Sequence, residues 1–264
     1  MTTMFLLGAV IALAAAARST WSPCGLSMLS QLTPLGEAGR GQKYARTAAW
    51  FVAGAVAGGL TLGTVMALGA AAVSASGLEL HTAIALTAFG AFAAAAIDAR
   101  VLGFAPPWMC RQVNEAWLAQ FRPWVYGGGF GWQIGAGVTT YVMTAAVPLL
   151  VVVGALSGSP AVALALGGLF GLLRGLAVLL GSRIRTPEAL YAAHRRFDAW
   201  TEPVRVSVIG TLLVVAFAAG AIVAPSLAIV LLLVTGGACV ATRGRLAPDT
   251  HAPTAPTIDA TPVA

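Results

Sequence analysis

Residues 204–241 read VRVSVIGTLLVVAFAAGAIVAPSLAIVLLLVTGGACVA, 38 positions of almost continuous apolar character. As a single helix they would extend about 57 Å at 1.5 Å per residue. That is nearly twice the roughly 30 Å hydrocarbon thickness of a bilayer. The run therefore fits two crossings, with a break expected near Gly220–Ser226, where Pro225 removes a backbone donor. The rest of the chain is built of the same material. Of 264 residues, 58% are hydrophobic and only 9% are charged, against roughly 25% charged in an ordinary soluble domain. Too few charges are present to solvate a globular surface, which excludes a soluble enzyme, a nucleic-acid-binding domain and a disordered protein. What remains is an all-α, multi-pass protein whose partner is the lipid bilayer.

Working back from that run, further spans fall at about 45–74, 81–104, 124–156 and 160–182. The first span, roughly 4–33, is interrupted around Ser22-Pro23-Cys24-Gly25. The polar stretch 105–123 and the mixed-charge stretch 183–203 lie between spans, the latter as an amphipathic surface helix or loop. The segment 226–241 is an extra C-terminal helix, and 247–264, rich in Pro, Thr and Ala, is expected to be disordered. Residues 1–246 thus form one membrane domain of about seven spans.

The net charge of +6, from 15 Lys plus Arg against 9 Asp plus Glu, orients it. Arg40 and Lys43, then Arg111 and Arg122, then Arg183, Arg185, Arg195 and Arg196, and finally Arg243 and Arg245 all fall on one side of a seven-span chain. The opposite connections, 1–3, 75–80, 157–159 and 224–226, carry no Lys or Arg. By the positive-inside rule this places the N-terminus outside and the C-terminus in the cytoplasm of a cell-membrane protein.

The first and fourth spans share an irregular middle. Trp21-Ser22-Pro23-Cys24-Gly25 aligns with Trp132-Gln133-Ile134-Gly135-Ala136, and hydroxyl-bearing turns follow each: Ser27, Ser30 and Thr33, then Thr139, Thr140 and Thr144. An odd number of crossings separates the two spans. That implies an inverted 3+3 repeat, about 4–104 and 124–223, with its working patch near the midplane.

These residues also carry a family resemblance. Ser22-Pro23-Cys24-Gly25-Leu26 and Phe130-Gly131-Trp132-Gln133-Ile134-Gly135 resemble the two motifs of the cytochrome c biogenesis transmembrane family, the CcdA and DsbD type. The resemblance implies inverted triple-helix repeats and an intramembrane thiol relay that draws on a thioredoxin-like or other thiol protein. It makes Cys24, with Pro23, the catalytic candidate. The second motif departs from the family, with Ile134 and Gly135 where Pro and Cys would stand, so half of the cysteine pair is missing. A dithiol relay needs two thiols within disulfide reach. Cys110 and Cys239 are the other cysteines, the first a loop candidate for a resolving thiol and the second a packing residue.

Arg174 is read as the one charge well inside a span. Such a group marks a cavity, a substrate path or an ion pair, with Asp98 as the candidate partner. Gln133, Gly135, Thr139 and Thr140 complete the candidate path. Gly54, Gly58, Gly131, Gly167, Gly171 and Gly175, spaced four apart, suit close helix packing. No metal cluster, nucleotide loop or hydrolase motif is present, and no cofactor is implied. Three functions follow as expectations: a thiol or electron carrier degenerate in its redox pair, a small-solute or ion transporter on the same scaffold, or a non-catalytic membrane scaffold.

Overall fold

The computed structural model describes residues 2–101, 103, 106, 116–137 and 142–226, and these are all-helical. The helices are α1 (Thr2–Thr20), α2 (Pro23–Gln31), α3 (Pro34–Gly39), α4 (Tyr44–Ala75), α5 (Leu80–Asp98), α6 (Trp117–Gln120), α7 (Pro123–Ala136), α8 (Ala146–Leu156), α9 (Pro160–Leu176) and α10 (Pro187–Val223). Four of them start from the same short code, a hydroxyl residue followed by proline. Ser22, Thr33, Ser159 and Thr186 accept from the backbone N–H three residues on, while Pro23, Pro34, Pro160 and Pro187 supply a preset first turn.

Five helical stretches are long and apolar enough to cross a membrane: α1, α4, α5, α9 with its 3-10 extension to Gly181, and α10. They fit a multi-pass membrane protein. The expected first span is two helices, α1 and α2, hinged at Trp21-Ser22. The expected fourth is also two, α7 ending at Gly137 and the 11-residue α8 beginning at Ala146. Gly137 ends α7 in the left-handed region at φ 69°. A side chain there would also run into the Phe170 ring. The expected extra helix 226–241 and tail 247–264 lie outside the described residues, apart from Ser226.

One boundary differs from the sequence reading. The charged stretch 183–203 is not a separate surface element. From Pro187 it forms a single 37-residue helix with the apolar run, continuous through Pro203 and ending at Val223 before an extended Ala224. Tertiary contacts hold the charged half. Trp21 Nε1 donates to the Phe197 carbonyl at 2.9 Å, Trp21 and Phe197 meet edge to face, and Ser30 Oγ lies 2.7 Å from His194 Nε2.

Helix α4 is the centre of the bundle, packed against α7 on one face and α9 on another. Both contacts are backbone to backbone. A methyl at Gly54 or Gly58 would strike the carbonyls of Gly128 and Trp132 on α7, and one at Gly131 or Gly135 would strike those of Phe51 and Ala55 on α4. Gly59 and Gly63 meet Gly167 and its neighbours on α9 in the same way, and Gly171 and Gly175 lie against Ala55 and Val52. Without a hydrophobic driving force between helices in lipid, such small-residue faces let dispersion and weak C–H···O contacts hold the bundle.

Candidate functional site: buried polar centres at the helix breaks

Three polar centres occupy the described interior. The first forms where both broken spans meet α9. Arg174, 2% exposed, projects from α9 and donates from Nε to the Ile134 carbonyl at 3.4 Å. Ile134 O also accepts from Gly137 N, so it belongs to the C-terminal end of α7. A helix C-terminus carries partial negative charge, and a cation is the complementary partner. Cys24 at the start of α2 is fully buried and lies within electrostatic range of the same guanidinium. Thr20, Gly25, Met28, Phe51, Ile134 and Arg174 surround a void of about 10 Å³, room for about one water.

The second centre sits at the start of α8. Asp98, at the C-terminal end of α5, accepts from Thr144 Oγ1 and from Ala145 N at 2.8 Å. It thereby caps the N-terminus of α8, the positive end of that helix. Arg18 and Arg205 lie within electrostatic range of Asp98. Arg205 also donates from Nη1 to the Asp98 carbonyl at 3.2 Å and grips Glu202 at 2.5 Å through Nη2 and 2.9 Å through Nε. Asp98 is therefore turned to α8, not to Arg174. The expected Arg174–Asp98 ion pair is replaced by two charge-to-helix-end contacts.

The third centre surrounds Glu37 of α3, which has no exposed surface. Thr47 Oγ1 donates to it at 2.6 Å, Tyr126 OH at 2.9 and 3.1 Å, and Arg40 Nη2 at 2.7 Å. Arg40 also donates to the Gln31 carbonyl at 2.7 Å and lies over the Tyr126 ring. This centre ties the short α3 to α4 and α7.

Sequence reasoning named Arg174 and Asp98 but missed Arg18, Glu37, Tyr126 and Arg205. Arg174 is accordingly one of several buried charges. Arg18 and Arg205 gave a signal, as arginines set inside apolar runs; Glu37, in a short loop with Arg40 three residues on, gave none beyond that spacing. Gln133 is half-buried on α7. Thr139, Thr140, Cys110 and Cys239 lie outside the described residues.

No protein-family model and no solved structure matches the chain. Curated relatives do. The chain is 32% identical over 196 residues to the methylamine utilization protein MauF of Paracoccus denitrificans, covering 74% of this chain and 67% of that one. The chain belongs to the MauF family. It is also 34% identical over 161 residues to MauF of Paracoccus versutus and 32% identical over 157 residues to that of Methylorubrum extorquens. These matches span 59% and 54% of those relatives' own length.

Membership in this family overturns the assignment to the cytochrome c biogenesis family, and with it the thiol-transfer function. The structure supplies a physical reason. Gly135, the position of the absent second cysteine, is pressed against the Ala55 carbonyl of α4, where no side chain fits. The second motif has been used for helix packing.

Proposed function

We propose that this chain serves methylamine utilization as a membrane-embedded protein. The observation that carries this reading is the identity it shares, over three quarters of its length, with a protein named for that process. The buried centres act here as braces. Two of them hold helix ends at a break in a span, the third ties α3 to α4 and α7, and the void beside Arg174 has room for about one water. On this reading, disrupting the gene abolishes growth on methylamine while growth on other carbon and nitrogen sources is kept. Complementation with Cys24→Ser restores it, whereas Asp98→Ala does not. Unimpaired growth of the disrupted strain on methylamine would remove the proposal.

The proposal includes an inverted repeat, α1 through α5 and α7 through α10. Its support is that the main helix contacts, apart from that of α7 with α9, survive exchange of the halves. Helix α4 packs on α9 and α5 on α10. The contact of α1 with α9 is matched by those of α7 and α8 with α4, and that of α1 with α10 by that of α8 with α5. The first span of each half is broken. The basic connections support an orientation with the α3 and α6 end in the cytoplasm and the N-terminus outside, which reporter fusions at Thr2 and at the 182–186 turn would check.

A further inference from the structure

One side of α10 is left open by the rest of the described chain. Val208, Leu212, Val215, Ala216 and Ala219 are buried where α10 packs on α5 and α1. On the opposite side Ser207, Gly210, Val214, Ala218 and Ala221 stand exposed, three or four residues apart. That spacing makes one continuous face along the apolar half of the helix. Val214 is 65% exposed, and a Cβ at Gly210 would meet no described atom within 4 Å. The hydroxyls on and beside this face are already used. Ser207 donates to the Pro203 carbonyl and Thr211 to the Ser207 carbonyl, each at 2.8 Å. An apolar helix can therefore lie here without stranding a donor.

The chain itself supplies one. Helix α10 ends at Val223, Ala224 is extended at φ −159° and ψ 129°, and helical backbone resumes at Pro225. So short a link makes the following helix an antiparallel neighbour of α10. Residues 225–241, PSLAIVLLLVTGGACVA, carry no charge. As a helix they extend about 25 Å, the length of α10 from Val223 back to Ser207. Folding about Ala224 sets a register. Gly210 stands 14 residues before Ala224 and Ala238 stands 14 after it, so Gly236-Gly237-Ala238 fall beside the open Gly210. Small residues on both sides of a crossing let two backbones approach closely. At the far end, Glu202 stands 22 residues before Ala224 and Arg245 stands 21 after it. The Glu202 side chain is still 55% exposed in its pair with Arg205, which sets an acidic group at the level of a basic one.

We propose that residues 227–241 dock as a helix along the 207–221 face of α10, antiparallel to it, with Gly236-Gly237-Ala238 against Gly210. The occupant is the chain's own segment because a one-residue tether holds it beside this face at high effective concentration. A face closed in this way is not offered to a second copy or to a partner protein. The inference stands apart from the role in methylamine utilization.

The test is disulfide trapping of the full chain in native membranes, in a Cys24→Ser, Cys110→Ser, Cys239→Ser background. Val214 and Val234 stand 10 residues on either side of Ala224. Packed helices lie about 8–10 Å apart between axes, which brings an opposed pair of cysteines within disulfide reach. Val214→Cys should therefore link within the molecule to at least one of Leu233→Cys, Val234→Cys and Thr235→Cys, read by mass spectrometry of the joined peptides. Phe89→Cys on α5, of similar exposure at 69%, should not link to them. Adding Gly210→Leu should cut the trapped yield about tenfold, because overpacking at a close helix contact typically costs that much. On an open lipid face the same substitution would leave the yield unchanged. Absence of a link from Val214→Cys to all three positions overturns the proposal. So does a link that joins two molecules, preferential linkage to Phe89→Cys, or a yield that Gly210→Leu does not alter.

Discussion

Substituting Gly135→Cys would restore the residue that the second motif lacks, and the structure predicts that it breaks the bundle instead of completing a redox pair. A Cβ built there lies 2.7 Å from both the carbonyl carbon and the Cα of Ala55, and closer still to its oxygen. Non-bonded carbon contacts are optimal at about 3.5–4.0 Å, so α4 and α7 must separate by about 1 Å. The obstructing atoms are backbone and cannot rotate aside. The cost therefore falls toward the upper part of the roughly 1–3 kcal/mol typical of overpacking. For a chain of this size that lowers the thermal midpoint by about 5–10 °C. Gly128→Ala on the same helix is the control. Its Cβ would meet nothing nearer than the Trp50 carbonyl at 4.0 Å, and it should be neutral or slightly stabilising. Thermal unfolding of the purified protein in detergent reads both variants. A Gly135→Cys protein with an unchanged midpoint that forms a disulfide with Cys24 would refute the packing argument.

Three further outcomes follow from the buried centres. Asp98→Ala leaves the Thr144 hydroxyl and the Ala145 N–H without this acceptor and removes a carboxylate within electrostatic range of Arg18 and Arg205. It should cost about 2–4 kcal/mol and open the 142–145 segment to limited proteolysis, while an unchanged digest would count against the cap. Glu37→Gln keeps the shape but turns a donor toward groups that are themselves donors. A loss of about 1–3 kcal/mol is expected in thermal unfolding, and Tyr126→Phe should cost less because one of the carboxylate's donors is removed. In a Cys110→Ser, Cys239→Ser background, Cys24 should resist a maleimide in the native protein and react on denaturation, since it has no exposed surface. Rapid native labelling would show that α2 opens.

The helical class and the break in the first span were legible from composition and from Ser22-Pro23, because both depend on local chemistry. So was the small-residue character of Gly54, Gly58, Gly131, Gly167, Gly171 and Gly175, although which helix each faces is set by the three-dimensional arrangement. The continuity of α10 across Pro203 was not legible. The charged residues 187–203 look like a solvated element, and only the contacts of Phe197 with Trp21 and of His194 with Ser30 bind them into a long helix. The family was misread for a related reason. Two short motifs matched by residue type, while the position that would have decided the chemistry, Gly135, is fixed by its contact with a helix far away in sequence.

The pairing of Arg174 with Asp98 failed in the most instructive way, because reading a sequence invites pairing charge with charge. In the folded chain both side chains meet the same broken span, at different helix ends. Arg174 answers the carbonyl end of α7 through Ile134, and Asp98 answers the N–H end of α8 through Thr144 and Ala145. A break in a span creates two helix ends, one of each sign, in a setting where water is scarce. The cation and the anion needed to satisfy them then occur on different neighbouring helices and need not touch. The first span meets its own break from within: Arg18 lies in the last turn of α1, and Ser22 caps α2. Intramembrane charges of this kind therefore locate the breaks of neighbouring spans, and a search for their partners should begin at those helix ends.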